Sequence, residues 1–593
     1  MARVTTALKM LALGALIIPW DAVAGTPEHF AVADFMQSQA TTPLIDNSAF
    51  TPASDAPSAL EPFSGTVKVA EVGMSTTPET FKTGQVLGRD PAVFPGVELQ
   101  FFTVNGDLVP VTQDVIRFGS QGSGKSFWDM IVQPGRVWSE HADGGWSRAA
   151  FPFALVNSLE GETHNGLATF LYRRGKVSRL RFQIVQQTGP YYISDYFTAA
   201  GSAPMTLRGT RIVGRAALEQ RYRAALADRV RFDTWEHLAD IVGAQSLANF
   251  DGRLLPAHAV AAGLDFRGTF YLAYCNSAAG PLPWCDRVRF GVWSATKALA
   301  NETALLRLAQ KFGPEVFDLK VQDYVDGAAA YSGWANVRFR DAINMATGVG
   351  NGSTVREPNN IEDGYLDPSY SRWYEARSSQ EKVKALLETG RVYPWGPGQV
   401  ARYRDQDMFV LGVAMDGFLK SREGAAASIW SMLEKEVYEP IGIHYAPTNR
   451  TIEVEGPGQA LMAFGYYPTI GDIVKIARLY HNEGRANGAQ ILYSPAIKAL
   501  SAGDESRGLS TGESNEFGET MYFNAFWEVR YTSAEGCRWF VPVMEGWGGN
   551  LVALMPNGLT AVRIAKVPES AEPAESDPTP MVSVGNRVSA FCR

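Results

Sequence analysis

The stretch Phe290-Gly-Val-Trp-Ser294-Ala-Thr-Lys297-Ala-Leu299 is a short apolar run that breaks into an Ala- and Leu-rich one, and its centre is Ser-x-x-Lys. No Gly or Pro occurs from Ser294 to Phe312, and Gly313-Pro314 follows as a stop signal, so the spacing predicts a helix over 294–312. Ala295, Ala298, Leu299, Leu305, Leu306 and Ala309 give it a broad apolar face, which predicts burial. A serine hydroxyl is a weak nucleophile at neutral pH and needs a base within hydrogen-bond reach. Three positions along a helix return to the same face, which brings the Lys297 amine toward the Ser294 hydroxyl. The first helical turn also offers backbone N–H groups where an oxyanion would form. Average composition yields roughly two such tetrapeptides by chance in a chain of this length, so the motif gains its weight only from context.

The chain opens with Met1-Ala-Arg3, an apolar run from Met10 to Ile18, and Ala22-Val-Ala24 before Gly25. This is the pattern of a secretory signal peptide over residues 1–24, and the apolar run is too short to span a bilayer. Export is therefore expected, to a periplasm or the extracellular space. Cys275, Cys285, Cys537 and Cys592 allow three pairings; Cys275 with Cys285 and Cys537 with Cys592 is the expected one. No cysteine or histidine spacing fits a zinc site, and no metal is expected. A net charge of −8 over 593 residues gives no support for nucleic-acid or anionic-membrane partners.

Residues 25–60 are rich in Thr, Ser, Ala and Pro and read as a flexible lead-in. From 61 to 205 short β-prone runs alternate with turns, as in Gly65–Ala70, Val97–Val104, Gly166–Tyr172 and Leu180–Val185, predicting a β-rich domain of sandwich or barrel type. Within it Gly119-Ser-Gln-Gly-Ser-Gly124-Lys125-Ser126 satisfies the P-loop pattern, but Phe127–Val132 behind it reads as a strand where phosphate binding needs a helix, so no nucleotide site is expected. Residues 206–234 read as a helical linker. Strands are expected over Gly268–Tyr274, Arg287–Phe290 and near 540–566 around a helical middle, an α+β domain over 235–593 whose sheet draws on both ends of that stretch.

Three further segments follow in order: Pro397-Gly398-Gln-Val-Ala-Arg-Tyr403-Arg404-Asp405, the amphipathic run from Asp472 to Pro495, and Gly546-Trp547-Gly548-Gly549-Asn550 leading to Pro556-Asn557-Gly558. With Ser294-x-x-Lys297 they resemble the serine β-lactamase-like superfamily, in its branch of class C β-lactamases, D-alanyl-D-alanine carboxypeptidases, esterases and 6-aminohexanoate-dimer hydrolases. The resemblance covers about residues 235–593. It implies a β-lactamase/transpeptidase-like catalytic domain, an antiparallel sheet with a helical domain. It further implies Ser294 as acylated nucleophile, Lys297 and Tyr403 as acid/base groups, the N–H groups of Ser294 and Asn550 as oxyanion hole, and Trp547, Gly548, Gly549 and Asp405 at the substrate. Neither metal nor organic cofactor is implied.

Two positions depart from the family. Asp405 stands where Tyr-x-Asn has an amide, and Trp547 stands where β-lactamases and carboxypeptidases carry the Lys or His that holds a substrate carboxylate. The expected substrate is thus a small, peptide or oligomeric amide or ester. A penicillin-binding carboxypeptidase or β-lactamase, and a non-catalytic binder of peptides or cell-wall fragments, are the alternatives.

Overall fold

The computed structural model describes residues 29–38, 43–78, 81, 88–118, 124–191, 195–354, 368–501, 503–505 and 507–592. The expected signal peptide lies outside them. Twelve antiparallel strands between Ser64 and Arg208 make one continuous sheet, whose path runs from Met205–Arg208 through Ser64–Val69, Val97–Val104, Asp107–Pro110, Gly135–Ser139, Ser147–Val156, His164–Arg173, Leu180–Gln187 and Thr198–Ala203 to Ser75–Thr77. The alternating apolar runs that predict these strands are buried on both faces in the centre: every residue of Ser147–Val156 and Leu180–Gln187 is buried.

The stretch expected to be a flexible lead-in is packed where it is described. Phe35 and Phe50 are almost wholly buried, at 0% and 1% exposure, and Phe30 contacts both rings. Three aromatic side chains within 21 positions bury enough apolar area to order a segment that its composition alone leaves open. The P-loop-like motif leads into strand Asp129–Val132. The amides of Lys125 and Ser126, which a phosphate would need, donate to the Glu71 carboxylate at 2.8 and 3.2 Å. Residues 119–123 of that motif lie outside the described residues.

A helix over Arg215–Ala227 packs on this sheet through Tyr222, whose hydroxyl donates to Asp107 at 2.9 Å. The chain then builds a nine-stranded sheet, in the order Arg231–Thr234, Thr269–Cys275, Ala259–Phe266, Thr560–Ala565, Asn550–Leu554, Arg538–Gly546, Phe526–Thr532, Gly518–Phe523, Leu509–Asn515. All neighbours are antiparallel except the first pair. Pairing of Ala259–Phe266 with Thr560–Ala565 joins the two ends of the domain. The helical middle packs against it, with capping boxes at Ser378/Glu381 and Thr469/Asp472 fixing the starts of helices Ser379–Thr389 and Ile470–His481. The architecture is α+β with large antiparallel sheets.

Arg287–Phe290 is not a strand. Phe290 is fully buried and its N–H donates to the Pro468 carbonyl at 3.0 Å, so its apolar character serves a packed connection with no ladder partner. Cys275–Cys285 and Cys537–Cys592 are both disulfide-bonded. One apolar core runs through both sheets without a break.

Candidate active site

Ser294 follows a residue in an uncommon conformation. Trp293 has φ +48°, left-handed backbone that costs a non-glycine residue on the order of 1 kcal/mol. Two anchors hold it: its indole N–H donates to the Gly189 carbonyl at 2.7 Å, and its ring lies 5.9 Å from Phe464. The Gly291 N–H, two residues earlier, donates to Thr163 Oγ1 at 3.1 Å. Both acceptors belong to the twelve-stranded region, so the turn carrying Ser294 is braced from outside its own sheet.

The run after Ser294 is helical as its composition requires, but Lys297–Glu302 is wound as a π-helix before the α-helix Thr303–Phe312. Thr303 Oγ1 bonds the Ala298 carbonyl at 2.9 Å, five residues back, matching the wider turn. Gly313, with φ +100°, ends it.

Lys297 is 1% exposed. Its Nζ donates to Ser294 Oγ at 2.7 Å, to Asp405 Oδ1 at 2.6 Å and to the Ala463 carbonyl at 3.3 Å. The Tyr403 ring centroid lies 4.7 Å from the same nitrogen. Tyr403 is stacked on Trp527 with centroids 5.5 Å apart and meets Tyr522 edge-on at 5.9 Å. Burial pushes the Tyr522 phenol well above its ordinary range, so this wall stays uncharged. The turn bearing Tyr403 and Asp405 is tied down by Arg404, which pairs with Asp407 at 2.8 Å and donates to the Val349 carbonyl. Thr347 Oγ1 donates to the other Asp407 oxygen at 2.9 Å.

Asp405 was expected at the substrate and is found behind the lysine. It is 7% exposed, with Oδ1 on Lys297 and Oδ2 accepting from the Tyr370 hydroxyl at 3.0 Å. Tyr370 lies on the helix Pro368–Glu375, whose last carbonyls, of Trp373 and Tyr374, accept from the buried Lys382 Nζ at 2.9 and 2.8 Å. Burial lowers the Lys382 amine to about 7, against the opposing pull of Asp405.

The hairpin from Arg538–Gly546 to Asn550–Leu554 supplies the other side. Of the glycines ahead of Asn550, it is Gly546 that lies against the Ser294 turn. A Cβ there would lie 2.1 Å from the Val292 carbonyl oxygen and 3.3 Å from the Ala295 nitrogen, so only glycine fits. The peptide that this hairpin brings against the Ser294 turn is therefore Gly546–Trp547. Asn550 pairs across from Gly546, and its side chain braces the turn, with Nδ2 donating to Trp547 O at 2.7 Å and Oδ1 accepting from Ala565 N at 3.2 Å. Trp547 is partly exposed; its indole donates to the Pro190 carbonyl at 2.9 Å and its ring lies 5.0 Å from Tyr191.

The structure thus brings Ser294, Lys297, Tyr403 and Asp405 together, with Gly546 and Trp547 alongside. Sequence reasoning missed Tyr370 and the segment Gly189-Pro190-Tyr191; the Gly-Pro pair marks a turn but says nothing of what the turn touches. Among the described residues no group of three or more His, Cys, Asp or Glu side chains is placed to hold a metal ion, and no helix is long and apolar enough to cross a membrane.

No family model matches the sequence, and no curated protein matches it. Among solved structures the chain is similar to a family VIII carboxylesterase, at 15% identity over 62% of this chain and 97% of that one with a TM-score of 0.39. It is also similar to a D-stereospecific amidohydrolase from Streptomyces sp., at 14% identity over 59% and 98% with a TM-score of 0.36. A third similar structure is a penicillin-binding protein homologue from Caulobacter crescentus, at 14% identity over 62% and 97% with a TM-score of 0.37.

Proposed function

We propose that the protein is an exported serine hydrolase that cleaves an amide, peptide or ester bond through a Ser294 acyl-enzyme. The observation that carries this reading is the buried Lys297 amine 2.7 Å from Ser294 Oγ, in the turn that opens a helix. In this reading Ser294 Oγ adds to the substrate carbonyl as its proton passes to the Lys297 side. The N–H groups of Ser294 and Trp547 hold the oxyanion, Trp547 replacing the Asn550 expected from the sequence because it is Gly546–Trp547 that meets the Ser294 turn while Asn550 pairs across from it. Tyr403, beside the same amine, returns the proton to the leaving amine or alcohol, and water then releases the acid from the ester.

The substrate is uncharged near the scissile bond. From Trp539 to Asn550 the hairpin carries no Lys, Arg or His, and Met544, Glu545 and Trp547 flank Gly546. On this hairpin a substrate carboxylate would find no cation, which counts against β-lactam turnover. Two disulfides and the signal-peptide pattern expected over residues 1–24 support export.

The test is intact-mass spectrometry of the purified protein after exposure to a fluorophosphonate, for wild type and Ser294→Ala. One adduct on the wild type that the variant lacks is the expected result; a folded wild type that takes no adduct would sink the proposal.

A further inference from the structure

The lysine beside Ser294 is not alone with it. Its amine donates to Ser294 Oγ, Asp405 Oδ1 and the Ala463 carbonyl, at 2.7, 2.6 and 3.3 Å. A carboxylate at bonding distance in a site from which water is excluded stabilises an ammonium, and an ammonium has no lone pair with which to take a proton from serine. The base must then lie one step further on.

We propose that Asp405 is the terminal acceptor of the Ser294 proton, reached through Lys297, and that Tyr370 positions it. As Ser294 Oγ bonds to the acyl carbon, its O–H breaks and an N–H forms on Lys297. A different N–H of Lys297 breaks, and an O–H forms on Asp405 Oδ1. Lysine begins and ends the step as ammonium, and the carboxylate becomes the neutral acid. The negative charge passes to the oxyanion; on the way back the proton returns from Asp405 to Lys297 as Lys297 gives one to Tyr403 and the Tyr403 hydroxyl gives its own to the leaving group. The Tyr370 hydroxyl on Oδ2 at 3.0 Å keeps Oδ1 turned to the lysine. Lys382 fastens the end of the helix that carries Tyr370. Among the described residues Lys297 and Tyr370 bond the Asp405 carboxylate, Tyr403 lies two residues before it ahead of the helix, and Lys382 and Tyr522 are within electrostatic range. Arg404 and Asp407 are paired with each other.

This inference rests on Ser294 being the nucleophile, and the experiment separates the two. The rate of fluorophosphonate labelling is measured between about pH 4 and pH 10 for wild type, Asp405→Asn and Tyr370→Phe, with circular dichroism to confirm folding. In the wild type the rate reaches its plateau on the acid side of neutrality. In Asp405→Asn the Ser294 proton has to stay on Lys297, which must start as the free amine, so the rise moves several pH units to the alkaline side and labelling at neutral pH falls by about 100-fold or more. Tyr370→Phe removes a donor from the carboxylate and moves the wild-type rise upward by up to about one unit.

A uniformly slower Asp405→Asn with an unmoved midpoint would reduce Asp405 to packing and overturn the inference, as would an unmoved midpoint in Tyr370→Phe if the first variant fails to fold. No adduct on the wild type at any pH would instead remove the nucleophile assignment, and the relay with it.

Discussion

The indole N–H of Trp547 donates to the carbonyl oxygen of Pro190 at 2.9 Å, across 357 positions of chain. Trp547→Phe keeps the ring and its contact with Tyr191 but leaves the carbonyl without this donor. A net cost of about 0.5–1.5 kcal/mol is expected. The hairpin should also loosen, so fluorophosphonate labelling of Ser294 slows several-fold while urea unfolding shows only the modest loss. Unchanged labelling would mean that this anchor does not reach the site.

Gly546→Ala is a sharper probe of the same hairpin. Its methyl would lie 2.1 Å from the Val292 carbonyl oxygen, and both partners are backbone, so neither gives easily. Overpacking of this kind costs roughly 1–3 kcal/mol. Labelling should fall below detection in protein that still folds, because the Ser294 turn is displaced. Normal labelling in the variant would disprove the close approach.

Lys382 links the site to pH. Its amine, ordinarily near 10.5, is lowered to about 7 by burial. Between those values the unfolded chain binds a proton that the folded chain does not, so this contribution to stability grows as pH rises from about 7 toward 10.5 and is lost as pH falls back. In Lys382→Met the rise in unfolding free energy between about pH 7 and pH 10 should be smaller than in the wild type. Denaturant titrations at the two pH values check it.

His164 acts in the acid range. It is fully buried between Trp128 and Phe197, with ring centroids 4.7 and 4.6 Å away, and burial lowers it from 6.5 to about 4. Its contribution is complete above about pH 6.5 and is lost progressively as pH falls toward 4, where the unfolded chain takes the proton first. His164→Phe keeps the stack and removes the titration, so thermal melts between these values should show a shallower acid slope than the wild type.

The two disulfides close loops of different length, with sequence separations of 10 and 55. Loop-entropy arguments assign about 3 kcal/mol to the first and about 4 kcal/mol to the second. Replacing Cys537 and Cys592 together by Ala should lower the melting temperature more than replacing Cys275 and Cys285.

What could be read from the sequence was local. The helix after Ser294 announces itself by composition and by its glycine stop, and the reach from Ser294 to Lys297 follows from helical geometry. Tyr403 is legible through the turn before it and the apolar helix after it. The contact of Asp405 with Lys297 is not legible, because the partner lies 108 positions away and nothing near Asp405 says which way a carboxylate turns. Gly546, Gly548 and Gly549 look alike in a row; which of them meets the Ser294 turn is set by sheet register. The contact of Gly189 with Trp293 spans 104 positions. Packing of Phe35 and Phe50 likewise depends on surfaces that only the assembled sheet provides.

Thr163, Gly189 and Pro190 accept hydrogen bonds from Gly291, Trp293 and Trp547. A fragment beginning at residue 206 would keep every side chain assigned to the chemistry and lose all three of these acceptors. Its Trp293 would hold a left-handed backbone without the hydrogen bond that fixes its indole, leaving only the ring contact with Phe464. Substitutions along 163–190 and around 291–293 or 547 are therefore not independent, and in lineages of this protein they should be inherited as matched sets.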